Sequence, residues 1–201
     1  MHHIDGLFRS NPERQRRIAG FSLIELMITV VVLGVVMGIA IPSFRYVHNS
    51  GRITAPSNEL VASIQLARAE AMRRNARVVM CSSANNTSCS NSSSWAGWIV
   101  FADTDRDGTV DAGETIIKAF TVAAPATVTS SSNVTQGKLV FRSDGFPRNT
   151  GGTLLQAKIG VCAAVTMPAE NARDVTIGQG GSQIFVVRRN GGGACAAPSN
   201  T

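Results

Sequence analysis

The sequence predicts an α+β protein in which one long N-terminal helix packs against one or two antiparallel sheets. Helical patterning is confined to the first 77 residues, and beyond it short apolar runs alternate with Gly, Pro, Asn, Asp and Ser. Composition adds a third observation. The chain has 201 residues, room for one domain with an appendage, yet only 16% are charged, below the quarter typical of soluble domains. The apolar excess must therefore sit somewhere particular.

It sits in Phe21 to Ile41, FSLIELMITVVVLGVVMGIAI, 21 residues with a single charge at Glu25. At about 1.5 Å per residue such a helix spans roughly 30 Å, the thickness of a bilayer core. Upstream, Arg9, Arg14, Arg16 and Arg17 outnumber Asp5 and Glu13, so that end stays cytoplasmic and everything after Ile41 is exported. A secretory signal has a shorter apolar stretch with its small-residue cleavage site behind it; here Gly20 precedes the run. A plain membrane anchor with a basic flank is the alternative. Gly34 and Gly38 fit close packing, local looseness or a dimer face.

Pro42 can kink a helix without ending it. Beyond it, Leu60, Ile64, Ala67 and Ala71 recur at helical spacing, with Glu70 and Arg74 four apart. One helix, bent near Pro42 and Pro56, is thus expected to run from the membrane into the exported domain, its apolar stripe on a sheet. The expected segments are 1–20, a leader; 21–41, a transmembrane helix; 42–77, its amphipathic continuation; and 78–201, a β-rich head.

In the head, strands are expected around Val78–Met80, Trp98–Phe101, Ile116–Val122, Leu139–Phe141, Leu154–Val165, Val175–Ile177 and Ile184–Val187. Ser143–Phe146 reads as a hairpin turn, and Ser82–Ser94 as a polar loop without capacity to pack.

The candidate chemistry starts at Glu25. A carboxylate inside a membrane helix costs roughly 2.5–3.5 kcal/mol and implies a partner. If the chain is cut after Gly20, the new amino group of Phe21 can neutralise the Glu25 of a neighbouring, axially staggered subunit. Histidine is scarce: besides His2 and His3 there is only His48, which argues against a Ser-His-Asp triad or a multi-His zinc site.

Export places four cysteines in an oxidising compartment, where two disulfides are expected. Three pairings are possible. Cys81–Cys89 with Cys162–Cys195 is favoured, because each bridge then fixes a segment with little apolar anchorage.

Asp103, Asp105, Asp107, Asp111 and Glu114 stand at positions 1, 3, 5, 9 and 12 of an EF-hand-like loop, with Gly108 at position 6. Its flanks read as strands rather than helices. Calcium binding and a metal-free Asp-rich hairpin turn both remain open. No other cofactor is expected.

The net charge of +6 invites a nucleic-acid reading. Residues 1–20 account for two of those charges, and Arg45 to Arg77 contribute six Arg against Glu59 and Glu70. The head is nearly neutral, nine basic residues against eight acidic, which weakens a bulk electrostatic argument. A late cluster remains: Arg148, Lys158, Arg173, Arg188 and Arg189. Arg188 and Arg189, ahead of a glycine run, can hold phosphate or simply be solvated arginines at a strand end.

Gly20-Phe21-Ser22-Leu23-Ile24-Glu25-Leu26, after a basic leader, resembles the prepilin motif of type IV pilins and type II secretion pseudopilins. The resemblance implies that a prepilin peptidase cuts between Gly20 and Phe21 and methylates the Phe21 amine, and that Glu25 acts in assembly. LARAEAMRRN, VVMC, GWIVFADTDRDGTVDAGE and KLVFRSDGFPR together resemble the GspH/FimT/FimU branch of minor pilins. That branch implies a β-sandwich-like head on a pilin helix, anchored singly in the inner membrane with the head in the periplasm, then carried into a surface pilus near its tip. The implied partners are other pilins and the peptidase. The same branch includes DNA receptors that bind through a C-terminal G-R-x-R motif; here the region reads TIGQGGSQIFVVRRNGGG, without an Arg after the glycine pair. Three functions follow: a minor pilin that primes or joins a type IV pilus, a pilin that captures double-stranded DNA, or a type II secretion pseudopilin. An enzyme has no constellation to support it.

Overall fold

The computed structural model describes residues 20–200, so the expected leader, apart from Gly20, lies outside the described residues. Helix α1 runs from Leu23 to Arg74, and the chain divides into two units between Ile41 and Pro42.

In the first unit, Leu26 N–H donates to the Ser22 carbonyl at 3.1 Å and begins the helix. Its large apolar side chains from Phe21 to Ile41 are 53 to 82% exposed, in every direction around the axis.

In the second unit, the helix continues through Pro56, beside which the Ser57 hydroxyl donates to the Ile53 carbonyl at 2.7 Å. It ends at Arg74, three residues short of the expected boundary. Asn75 adopts a left-handed φ of 50°, Asn75 N–H bonds the Met72 carbonyl, and Ala76 N–H bonds the Ala71 carbonyl. That double closure is the Schellman stop, and Asn tolerates the conformation it needs.

Ten strands follow: β1 (Val78–Ser82), β2 (Ser94–Trp95), β3 (Gly97–Ala102), β4 (Ile116–Thr121), β5 (Ala126–Ser130), β6 (Lys138–Phe141), β7 (Pro147–Arg148), β8 (Ala157–Ala163), β9 (Ala172–Ile177) and β10 (Ile184–Arg189). They form two antiparallel sheets of five, in the orders β4-β3-β1-β6-β7 and β10-β9-β8-β5-β2. Both turn one face to a shared core completed by the helix. Ile53, Leu60, Ile64, Ala67 and Ala71 are fully buried against Met80, Trp98 and Phe141 of the first sheet and Ile159, Val161 and Val175 of the second. Trp98 stacks on Phe120 at 4.5 Å, and its indole N–H donates to Ser63 Oγ at 2.9 Å, so this buried indole's polar edge is satisfied.

The outer face of the first sheet has its own apolar layer, Val79, Cys81, Ile99, Phe101 and Val140, with Cys89, Val110 and Ile116 packed on it. Cys81–Cys89 is formed and holds the Ser/Asn-rich loop there. That loop is less uniformly solvent-exposed than its composition implies: Ser82 ends β1, Ser83 is buried, and Ser94 begins β2. Cys162–Cys195 is formed as well, and it fastens the C-terminal segment across the outer face of the second sheet. A Cβ on Gly160 would lie 2.9 Å from Asp174 Oδ1 and 3.3 Å from Pro198 Cδ, so only glycine lets that segment approach so closely.

Three strands were not expected: β2, β5 and β7. Within β5, Thr127 and Thr129 alternate with buried Ala126, Val128 and Ser130, a half-polar pattern with no apolar run. The stretch Leu154–Val165 pairs only over Ala157–Ala163, and Leu154 makes an isolated bridge to Arg148. The β6–β7 turn closes one residue earlier than Ser143–Phe146, through Gly145 N–H to the Arg142 carbonyl at 2.8 Å, with Gly145 at φ 75°.

Candidate functional site

The first candidate surface is the exposed N-terminal helix. A globular surface helix carries one apolar stripe; one that is apolar all round is buried in something else, a bilayer or other helices. Gly20 and Phe21 precede its first turn, and Glu25 lies within that turn, where a carboxylate suits the helix dipole. Among the described residues Glu25 has no ion-pair partner.

The second is the acidic loop between β3 and β4. Asp103 is buried, its Oδ2 2.7 Å from Arg77 Nε, while its Oδ1 accepts the Gly108 N–H at 3.3 Å. Arg77 Nη1 also donates to the Arg106 carbonyl at 2.7 Å, so one guanidinium ties the first half of the loop to the end of the helix region. Glu114 closes the second half by accepting the Thr104 N–H at 2.6 Å, and Asp107 accepts the Thr109 N–H at 2.6 Å. Burial raises the Asp103 pKa against the opposing pull of Arg77. The Thr109 hydrogen bonds lower that of Asp107, and the nearby Asp107 carboxylate, with burial and Asp105, raises that of Asp111. Carboxylate oxygens of Asp103, Asp105 and Glu114 lie within 4.8 Å of one another, as do those of Asp105, Asp107 and Asp111. These are the groups that would hold a cation. Asp103, Asp105, Asp107 and Glu114 already accept the loop's own N–H groups, Asp111 accepts only the Thr109 hydroxyl among the described residues, and the flanks are strands β3 and β4.

The third is the arginine edge, which the structure divides. Arg189 forms a bidentate pair with the buried Asp174, Nε to Oδ2 at 2.7 Å and Nη2 to Oδ1 at 3.2 Å, and Nη2 also donates to the Ala196 carbonyl at 3.1 Å. Arg173, counted in the same cluster, is only 6% exposed and donates to the Glu170 and Ala172 carbonyls. Burial, then the neighbouring Arg188 cation, lowers its pKa. Arg148 pairs with Asp144 at 2.8 Å. Arg188 is left exposed with no hydrogen-bond partner among the described residues. Asp174 and Asn171 therefore matter here, and no sequence motif marks either. Asn171 donates to the Ala194 carbonyl at 3.1 Å and accepts the Gly191 N–H at 2.7 Å, seating the C-terminal segment.

Among the described residues, one helix apolar all round and a head of two sheets around its continuation define a pilin-like subunit. The model of the family described as Type II transport protein GspH matches residues 57–181, from the second half of α1 to the turn before β10, and the chain belongs to that family. The prokaryotic N-terminal methylation motif matches residues 15–41, which include Gly20, Phe21 and Glu25. Among solved structures, the chain is similar to the type IV minor pilin FimU of Pseudomonas aeruginosa in two crystal forms, both at 18% identity. One has a TM-score of 0.48 over 67% of this chain and 92% of that one; the other has 0.49 over 70% and 90%. No curated protein matches.

Proposed function

We propose that the chain is a minor pilin of a type IV pilus, a structural subunit that primes or joins the filament near its tip. The observation that carries this reading is the helix up to Ile41, whose apolar side chains are more than half exposed on all sides. A bilayer covers such a surface before assembly, and the helices of neighbouring pilins cover it afterwards. Glu25 decides between the two environments. Its charge is costly in lipid and is neutralised in the filament by the Phe21 amine of an adjacent subunit, so it favours assembly over isolation in the membrane. The head supplies the docking surface toward other pilins.

The test is a tagged chain in cells with and without the prepilin peptidase. Shortening of the chain by its leader and recovery from sheared surface filaments, both lost without the peptidase, support the proposal. An unprocessed chain that never leaves the membrane fraction overturns it. The same helix chemistry serves a type II secretion pseudopilus, and recovery with surface pili rather than dependence on a secretion machine separates the two.

A further inference from the structure

The edges of the two sheets are treated unequally. Exposed strand edges are normally blunted by short length, charge, proline or a bulge. Here β2 has two residues, β7 has two and begins with Pro147, and β4 carries Lys118 paired to Glu59 and a register shift against β3. The fourth edge, β10, reads IFVVRR over six residues, with no such device before Arg188. Phe185, Val186 and Val187 are 41 to 46% exposed, and they stand alternately on the two faces of the sheet.

The backbone of that edge is free as well. Gly178 N–H bonds the Gln183 carbonyl at 2.9 Å, which sets the phase of the β9–β10 ladder. In antiparallel alternation Phe185, Val187 and Arg189 then bond inward, and Ile184, Val186 and Arg188 turn their N–H and C=O groups outward. Among the described residues nothing bonds them. The C-terminal segment crosses the sheet's face and leaves this edge open.

Charge says what fits. Arg188 stands directly across from Arg173 in the ladder, and among the described residues neither is in an ion pair; Asp174, which pairs with Arg189, lies on the sheet's other face. A cation is thus placed beside another cation at one end of an otherwise apolar edge.

We propose that β10 is a docking edge for an extended segment of another protein, which adds antiparallel as a further strand and sets a carboxylate against Arg188. Main-chain bonds to Ile184, Val186 and Arg188 hold the segment, apolar side chains beside Phe185 and Val187 orient it, and the carboxylate fixes its register. The inference stands apart from the filament reading, since it concerns the head alone.

The test uses the full chain in detergent micelles and a six-residue peptide, Thr-Glu-Val-Thr-Val-Thr, whose Glu falls opposite Arg188. The readout is residue-resolved amide exchange. The expected result is at least a tenfold slowing at the Ile184, Val186 and Arg188 amides, and at least tenfold weaker binding of the analogue with Lys in place of Glu. Arg188→Glu should reverse that preference, a readout that needs no comparison of stability. Val186→Pro, which removes an outward N–H and spares the ladder to β9, should abolish binding. No slowing with either peptide, or equal affinity for both, overturns the proposal. Slowing that grows with protein concentration alone also overturns it, since a second copy would then be the occupant.

Discussion

Arg189 of β10 grips Asp174 of β9 with two guanidinium nitrogens, at 2.7 and 3.2 Å, beneath the C-terminal segment that Cys195 ties to Cys162. Adjacent arginines in sequence thereby have different work: Arg189 holds the head together, and Arg188 faces outward.

Arg189→Ala leaves a buried carboxylate without its cation and removes a donor to Ala196. Such a loss costs about 3 kcal/mol, at the lower end of the range for breaking buried pairs because Arg189 is itself partly exposed. Arg188→Ala should stay within about 0.5 kcal/mol of the parent. Thermal unfolding of the two variants checks this. Equal stabilities would contradict the division of roles. Arg188→Ala is accordingly the clean variant for any gel-shift assay of duplex DNA at this edge.

Arg77→Ala should cost about 3 kcal/mol at neutral pH by leaving Asp103 buried and unpaired. The folded-state pKa of Asp103 is already raised above 3.8, so its ionisation opposes folding above the unfolded value. Protonated Asp103 needs no cation, and the deficit should therefore shrink as pH falls through the raised folded-state value toward the unfolded one. A pH-independent deficit would contradict the pairing. With Arg77 beside Asp103 and the loop's own N–H groups bonded to Asp103, Asp105, Asp107 and Glu114, the melting temperature of the parent should be equal in calcium and in chelator. A rise of several degrees in calcium would instead assign Asp103–Glu114 to a cation.

Glu70 lies between Arg73 and Arg74, with contacts of 2.7 Å to each, and those hydrogen bonds lower its pKa from 4.5 to about 2. Its contribution to the helix end is full above the unfolded value and is lost as pH falls through the folded one. A carboxyl titration by NMR should find Glu70 still ionised at pH 3, and the double variant Arg73→Ala, Arg74→Ala should return it toward 4.5. A midpoint near 4.5 in the parent would show that the fork is not held in solution.

Legibility in the sequence followed the period of the burial. Leu60, Ile64, Ala67 and Ala71 announce the packed helix, because one face of a helix repeats at 3.6 residues and all four side chains are fully buried. Val78–Met80 and Trp98–Phe101 announce β1 and β3, since both faces of those strands are covered. β5 is hidden because its outward threonines break the apolar run, and β7 because two residues carry no period. The electrostatic pairings were illegible for another reason. Asp174 meets Arg189 only through the β9–β10 register, and Arg77 meets Asp103 only once β1 has paired with β3; local spacing encodes neither. The EF-hand-like spacing was plain, but the sequence does not show that Arg77, from outside the loop, pairs with its first carboxylate.

The central claim is that the apolar helix is a filament element whose single charge, Glu25, is neutralised between subunits. Incorporation of a Glu25→Val variant into sheared surface filaments measures it most directly. The account predicts a chain that the peptidase still cleaves but that remains in the membrane and is absent from filaments. Incorporation of Glu25→Val at the parent's level would contradict it.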